Sequence, residues 1–192
     1  NLEALKPAIE KANAAGIPVV MFNTITEIEG AEVYAYSGYN QYNGGAKIAD
    51  WVNEQTGGNA VAAIIEGLPS DYTTQRMGGF VDKCAEAYPG ITVVATQPGD
   101  WVREKGMNAA MDMIQAHPEI NVIYGLSDEM ALGAVQACKQ LNRTDIICVP
   151  QKAVETVMQG WNRHGTGWLV EKMDSKLEGC CNLRLFYGSS SF

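Results

Sequence analysis

Two polar positions in this chain stand just past short apolar runs, and a third lies one turn into the helix that follows another. Asn23 follows Ile17–Phe22 (IPVVMF), and Ser127-Asp128 follow Val122–Leu126. Arg76 comes four residues after Tyr72 in the stretch SDYTTQRMGGF, so on a helix the two share a face. A guanidinium offers five donors in a fixed fork, and an amide offers both a donor and an acceptor. A tyrosine ring adds an apolar plane. Together these groups suit a neutral, polyhydroxylated ligand. A surface ion pair of Arg76 with Asp71 or Glu66 is the competing reading, and spacing alone leaves both open.

The segment Asn121–Leu141 (NVIYGLSDEMALGAVQACKQL) carries the clearest local signal. A strand is predicted to run straight into a helix, with Ser127 as N-cap and Asp128 and Glu129 at the positive end of the helix dipole. Gly133 and Ala134 lack bulk, which predicts that this helix lies close to a sheet.

Catalytic chemistry finds less support. No G-x-S-x-G turn exposes a nucleophile, and Gly44-Gly45 and Gly57-Gly58 fit neither a dinucleotide fingerprint nor a P-loop. Asp71 and Asp128 as an acid–base pair are better explained as helix N-terminal acids. His117 precedes a proline at a helix end, where it is expected to cap carbonyls. Of the five cysteines, Cys84, Cys138 and Cys148 fall on apolar faces and read as buried thiols. Cys180-Cys181 lack a C-x-x-C or a histidine at ligand spacing. The expectation is therefore a non-enzyme with no metal and no cofactor. Tyr34, Tyr36, Tyr39 and Tyr42 read as a strand face with a turn, though Tyr39 and Tyr42 also suit a cleft lining.

These side chains need a frame. Apolar strands are predicted at 17–22, 33–37, 60–65, 91–95, 122–126 and 145–149. Helices are predicted at 2–15, 43–55, 70–88, 101–116 and 128–141, with Phe80, Val81, Cys84 and Ala85 facing inward on the third. Apolar strands without alternation, joined by helices, predict an α/β fold with a doubly wound parallel sheet covered on both faces. In such a sheet the loops past the strand ends become neighbours. Residues 38–150 form the main lobe on this reading. Residues 1–37 hold one helix–strand unit, which cannot bury its own faces and must dock on another element or a partner chain. Residues 151–192 break the pattern, with a possible helix at 153–160. The start, Asn1-Leu2-Glu3, has mid-helix character and no signal peptide, so the chain reads as a mature or truncated piece.

A net charge of −8 argues against nucleic acid, and no stretch reaches the roughly 20 apolar residues of a membrane span.

The segments ALKPAIEKANAAGIPVVMFN, SGYNQYNGGAKIADWV, RMGGF and GDWVREKGMNAAMDMIQAHPEINVIYGLSDEMALGA, in this order, resemble the ribose-binding-like periplasmic sugar-binding proteins of ABC transporters. The likeness runs from Leu5 to about Val149. It implies two α/β lobes with a sugar gripped between them, residues 38–40 as a hinge crossing, a periplasmic or extracytoplasmic location and a permease partner. It assigns Asn23 to sugar hydroxyls and Arg76, in R-x-x-G-F, to ring or hydroxyl oxygens. Ser127 stands where the family commonly has Asn before Asp-Glu-Met-Ala, and Tyr72 and Leu68 fall in the specificity loop. The family's opening βα units and its aspartate after the last strand are missing, the chain continuing as Pro150-Gln151-Lys152. Self-association through the incomplete lobe, or a ligand-incompetent partial lobe, is the corresponding expectation. The effector domain of a lactose-repressor-like regulator shares this fold, but no helix-turn-helix is present.

Overall fold

The computed structural model describes residues 2–38 and 40–151. The chain divides into two compact units, one holding residues 1–40 and the other starting at Gln41. Tyr39, the helix predicted at 153–160 and nearly all of the tail predicted to diverge at 151–192 lie outside the described residues.

In the smaller unit a 3-10 turn, Leu2–Leu5, leads into helix α1, Lys6–Ala14. Pro7 in the first turn suits this start, because its missing N–H would have no helical partner there. Strands β1 (Val20–Phe22) and β2 (Ala35–Ser37) pair in parallel. Ile9, Met21, Ile28 and Tyr36 form a small core. The sequence predicts a buried six-residue strand at 17–22, but only three residues pair. Val20 is 58% and Phe22 81% exposed. Alternation explains this: among the described residues two strands and one helix form a core on one sheet face, and the residues flanking Met21 point away from that core.

The larger unit is built from α2 (Gln41–Thr56), β3 (Ala60–Glu66), α3 (Asp71–Ala87), β4 (Ile91–Pro98), α4 (Arg103–Ala116), β5 (Val122–Gly125), α5 (Asp128–Gln140) and β6 (Ile147–Pro150). All pairings are parallel, in the order β4-β3-β5-β6. The chain leaves β3 toward β4 and then returns past β3 to β5 and β6. Right-handed crossovers therefore put α3 on one face and α4 and α5 on the other. Helix α2 packs on α3, and α4 packs on α5. This is the predicted doubly wound α/β sheet. Its central strands β3 and β5 are almost wholly buried, as unalternating Val/Ala/Ile runs require. Strand β4 departs from the prediction: it is eight residues long and, after the buried Ile91, alternates exposed with half-buried, as an edge strand does.

Helix α3 also corrects a predicted face. Thr73, Arg76, Gly79, Phe80 and Cys84 are buried, whereas Val81 and Ala85 are exposed. The stripe follows steps of three and four residues, and 81 and 85 lie one position round from it. Close helix contacts explain the glycines. A Cβ on Gly79 would stand 1.9 Å from the Tyr42 carbonyl oxygen, and one on Gly45 would stand 2.0 Å from the Arg76 carbonyl oxygen. Gly133 turns out to face a helix rather than the sheet, since its Cβ would lie 2.2 Å from the Arg103 carbonyl oxygen on α4. Helix α5 approaches the sheet instead where Ala131 meets Gly125.

Candidate functional site at the carboxyl edge of the sheet

Strands β3 and β5 are neighbours whose onward connections run in opposite directions. The crevice beyond their carboxyl ends is therefore the topological switch point of the sheet. Backbone bonds hold the loops there together. Leu126 N–H donates to the Ile65 carbonyl at 3.1 Å, and Gly99 N–H donates to the Glu66 carbonyl at 2.8 Å.

Arg76 reaches into this region from α3. Ser70 caps the helix, accepting from Thr73 N–H, and Thr73 Oγ1 donates to the Leu68 carbonyl at 2.6 Å. The start of α3 is thereby fixed to the end of β3. Arg76 is 8% exposed; its Nε donates to Gln41 Oε1 at 2.7 Å, and its Nη1 donates to the Leu126 carbonyl at 2.7 Å. The guanidinium thus links α2, α3 and the end of β5. Its burial replaces the surface reading that the sequence left open.

Two aromatic rings flank it. The guanidinium carbon lies 5.8 Å from the Tyr72 ring centroid and 5.6 Å from that of Trp101. Both distances are in cation–π range, and both rings are half-buried. Trp101 is predicted as the first residue of a helix, but α4 begins only at Arg103. Asp100 and Trp101 instead take left-handed backbone angles, φ 51° and 65°. That turn lays the indole on the α-carbon of Gly67, where a Cβ would stand 1.9 Å from Trp101 Cζ2. Only glycine at 67 leaves room for the ring.

Ser127 caps α5 as predicted, its Oγ accepting from Met130 N–H at 3.3 Å. Asp128 follows in the first turn, half-buried. Glu129 points elsewhere and takes both Nε and Nη2 of Arg103 at 2.9 Å, which pins α5 to α4 and raises the Arg103 pKa. Leu68 is 51% exposed in the loop after β3. Past β6, Gln151 is buried and its Oε1 accepts from the Tyr124 hydroxyl. Tyr124 is fully buried against Phe80, with ring centroids 5.0 Å apart.

Arg76, Tyr72, Leu68, Ser127 and Asp128 therefore all belong to the ends of β3 and β5 and the helices that follow. Asn23 belongs to the smaller unit. It ends β1 with φ 65°, and its N–H donates to the Ser37 carbonyl at 2.6 Å. The sequence reading missed Trp101 and Gln41. Trp101 directly follows the loop between the strand predicted at 91–95 and the helix after it, and that adjacency was the available signal. Gln41 had none, since nothing local distinguishes it from other amides. Of the tyrosine run, Tyr36 is buried, Tyr34 is exposed, and the Tyr42 hydroxyl donates to Asp82 at 2.9 Å, bracing α2 to α3. His117 ends α4, and its ring lies 3.3 Å from Glu119 rather than on helix carbonyls.

The arrangement joins a fixed, charged donor to apolar ring faces at a sheet edge. No group of three or more metal-ligating side chains occurs among the described residues. Nor is any helix among them long and apolar enough to cross a membrane.

Residues 1–170 match the model of the family described as periplasmic binding protein domain. The chain belongs to that family. It is 32% identical over 146 residues to the ribose import binding protein of Bacillus subtilis, covering 76% of this chain and 46% of that protein. It is likewise 32% identical over 143 residues to the D-apiose import binding protein of Actinobacillus succinogenes, covering 74% and 46%. Among solved structures it resembles an ABC transporter periplasmic solute binding protein from Actinobacillus succinogenes with bound D-allose. That match has TM-score 0.77, 31% identity and coverage of 85% of this chain and 60% of that one. The chain spans about half the length of the curated relatives it matches.

Proposed function

We propose that this chain acts in a sugar-binding receptor of an ABC importer, taking a monosaccharide or related polyol and delivering it to a membrane permease from the periplasm or an equivalent extracytoplasmic space. The observation that carries this reading is Arg76, buried at the switch point between the rings of Tyr72 and Trp101. A guanidinium held by protein partners keeps its orientation when a ligand arrives, which lowers the ordering cost of binding. Half-buried rings offer flat surfaces to sugar C–H faces. Ser127 and Asp128 add hydroxyl and carboxylate oxygens at a helix N-terminus, and Leu68 bounds the ligand on the loop side. Asn23 is assigned a sugar hydroxyl on the strength of the family likeness. The names of the relatives, all binding proteins for pentoses, hexoses or polyols, support the same ligand class.

Thermal shift against pentoses, hexoses and polyols tests the proposal. A ligand at one hundred times its Kd stabilises the folded state by about 2.7 kcal/mol. One sugar is expected to raise the midpoint by several degrees, and at the same sugar concentration Trp101→Ala is expected to cut that shift by roughly a third to two thirds. A well-folded sample that responds to no sugar in the panel refutes the reading for this chain.

A further inference from the structure

Cys138 on α5 and Cys148 on β6 bring their sulfurs to 3.7 Å from each other. Both are free and both are buried. A disulfide has its sulfurs about 2.05 Å apart, so the gap closes by less than about 2 Å. Among the described residues Cys84 has no such neighbour, and burial pushes its thiol up to about 11.

We propose that Cys138 and Cys148 form a redox-modification site, at which a small-molecule disulfide oxidises the pair to an intrachain bond between α5 and β6. The hydrogen bond to Cys138, then burial, keeps the proton on Cys148. That same bond, helped by the charge of Arg143, favours the thiolate at Cys138. Cys138 is therefore the attacking sulfur. Its thiolate displaces one thiolate from the small disulfide and forms a mixed disulfide. Cys148 then gives up its proton, attacks Cys138 Sγ and expels the second thiolate. Two protein thiols lose two electrons and two protons, and one small disulfide becomes two thiols.

Access comes from position. Strand β6 is four residues long and lies at the end of the described sheet. Local opening at such an edge costs much less than global unfolding. Arg143 sits in the connecting turn and holds it through the carbonyls of Pro118 and Ile120, at 3.0 and 2.9 Å. The two sulfurs thus return to the same register after each opening.

The test uses the full chain under native conditions. Reduced protein is treated with oxidised glutathione, remaining thiols are alkylated, and tryptic peptides are weighed. The expected product joins Gly106–Lys139 to Thr144–Lys152, lighter by two hydrogens than the separate peptides. The melting midpoint of the oxidised protein is expected to rise by roughly 5 °C. Dithiothreitol is expected to reverse the rise, and Cys138→Ser to abolish it. Recovery of both peptides alkylated, once Cys180 and Cys181 have fully reacted, overturns the proposal. So does a glutathione adduct on Cys138 that never resolves, or linkage of either cysteine to Cys84. The linked peptide is read on the unaltered chain, so a poorly folding variant does not blur the result.

Discussion

Replacing Arg76 by methionine separates what this side chain does for the fold from what it does for a ligand. Its Nε and Nη1 make two bonds of 2.7 Å, to Gln41 Oε1 and the Leu126 carbonyl. Each charge-assisted bond is worth about 1.5–3 kcal/mol net. The rings of Tyr72 and Trp101 add about 0.5–1 kcal/mol each at these distances. Against this, methionine needs no charge removed from water and fills similar apolar volume. The balance predicts a loss of about 3 kcal/mol. With a urea slope of about 1.5 kcal/mol/M, the unfolding midpoint falls by about 2 M. The assay is urea titration by circular dichroism on four proteins: the parent, Arg76→Met, Gln41→Ala and the double variant. Residues in direct contact couple by about 0.5–3 kcal/mol, and a value of about 1–2 kcal/mol is expected here. If Arg76→Met costs under about 0.5 kcal/mol and the cycle is additive within roughly 0.3–0.5 kcal/mol, Arg76 is not the clamp described above.

Three further outcomes follow from the same geometry. Gly79→Ala puts a methyl 1.9 Å from the Tyr42 carbonyl and forces α2 from α3, so a loss of about 2–4 kcal/mol is expected in thermal or urea unfolding; an unchanged midpoint contradicts that close approach. Trp101→Ala is expected to weaken sugar binding by about 1–2 kcal/mol, roughly 5- to 30-fold, in calorimetry, while circular dichroism stays native. Asp145 is held below the usual carboxylate range chiefly by its hydrogen bond from Arg143. A depressed folded pKa stabilises above the unfolded value of about 3.9 and is lost as pH falls through the lower folded value. Asp145→Asn is therefore expected to lower the urea midpoint slightly at pH 7 and to flatten its fall below pH 4, and an unaltered acid limb rules the linkage out.

Most of the larger unit was legible because its signals are local and repeated. The buried runs at β3 and β5, the Ser127 cap and the acids after it all declare themselves within a few residues. Position within the sheet was not legible. Strand β4 alternates because it lies at an edge, and strand order follows from pairing partners far away in sequence. The same limit governed the site. Tyr72 and Arg76 share a helix face by spacing alone, whereas Gln41 meets Arg76 across 35 residues and Trp101 meets it across a loop. Gly133 shows a third case: a missing side chain announces close packing but not which neighbour fills the gap.

The left-handed pair Asp100-Trp101 sets the tolerance of this edge to mutation. Left-handed angles cost a β-branched residue most, and asparagine, aspartate and glycine least. In a saturation scan, valine, isoleucine and threonine should therefore be depleted at both positions, independently of any ligand. Asp100 has a cheap escape to asparagine or glycine. Trp101 has none that keeps an indole against Gly67. The turn thus narrows the routes by which drift can reshape this edge, and new ligand preferences are expected to arise first at Leu68 and Tyr72, where the backbone is ordinary.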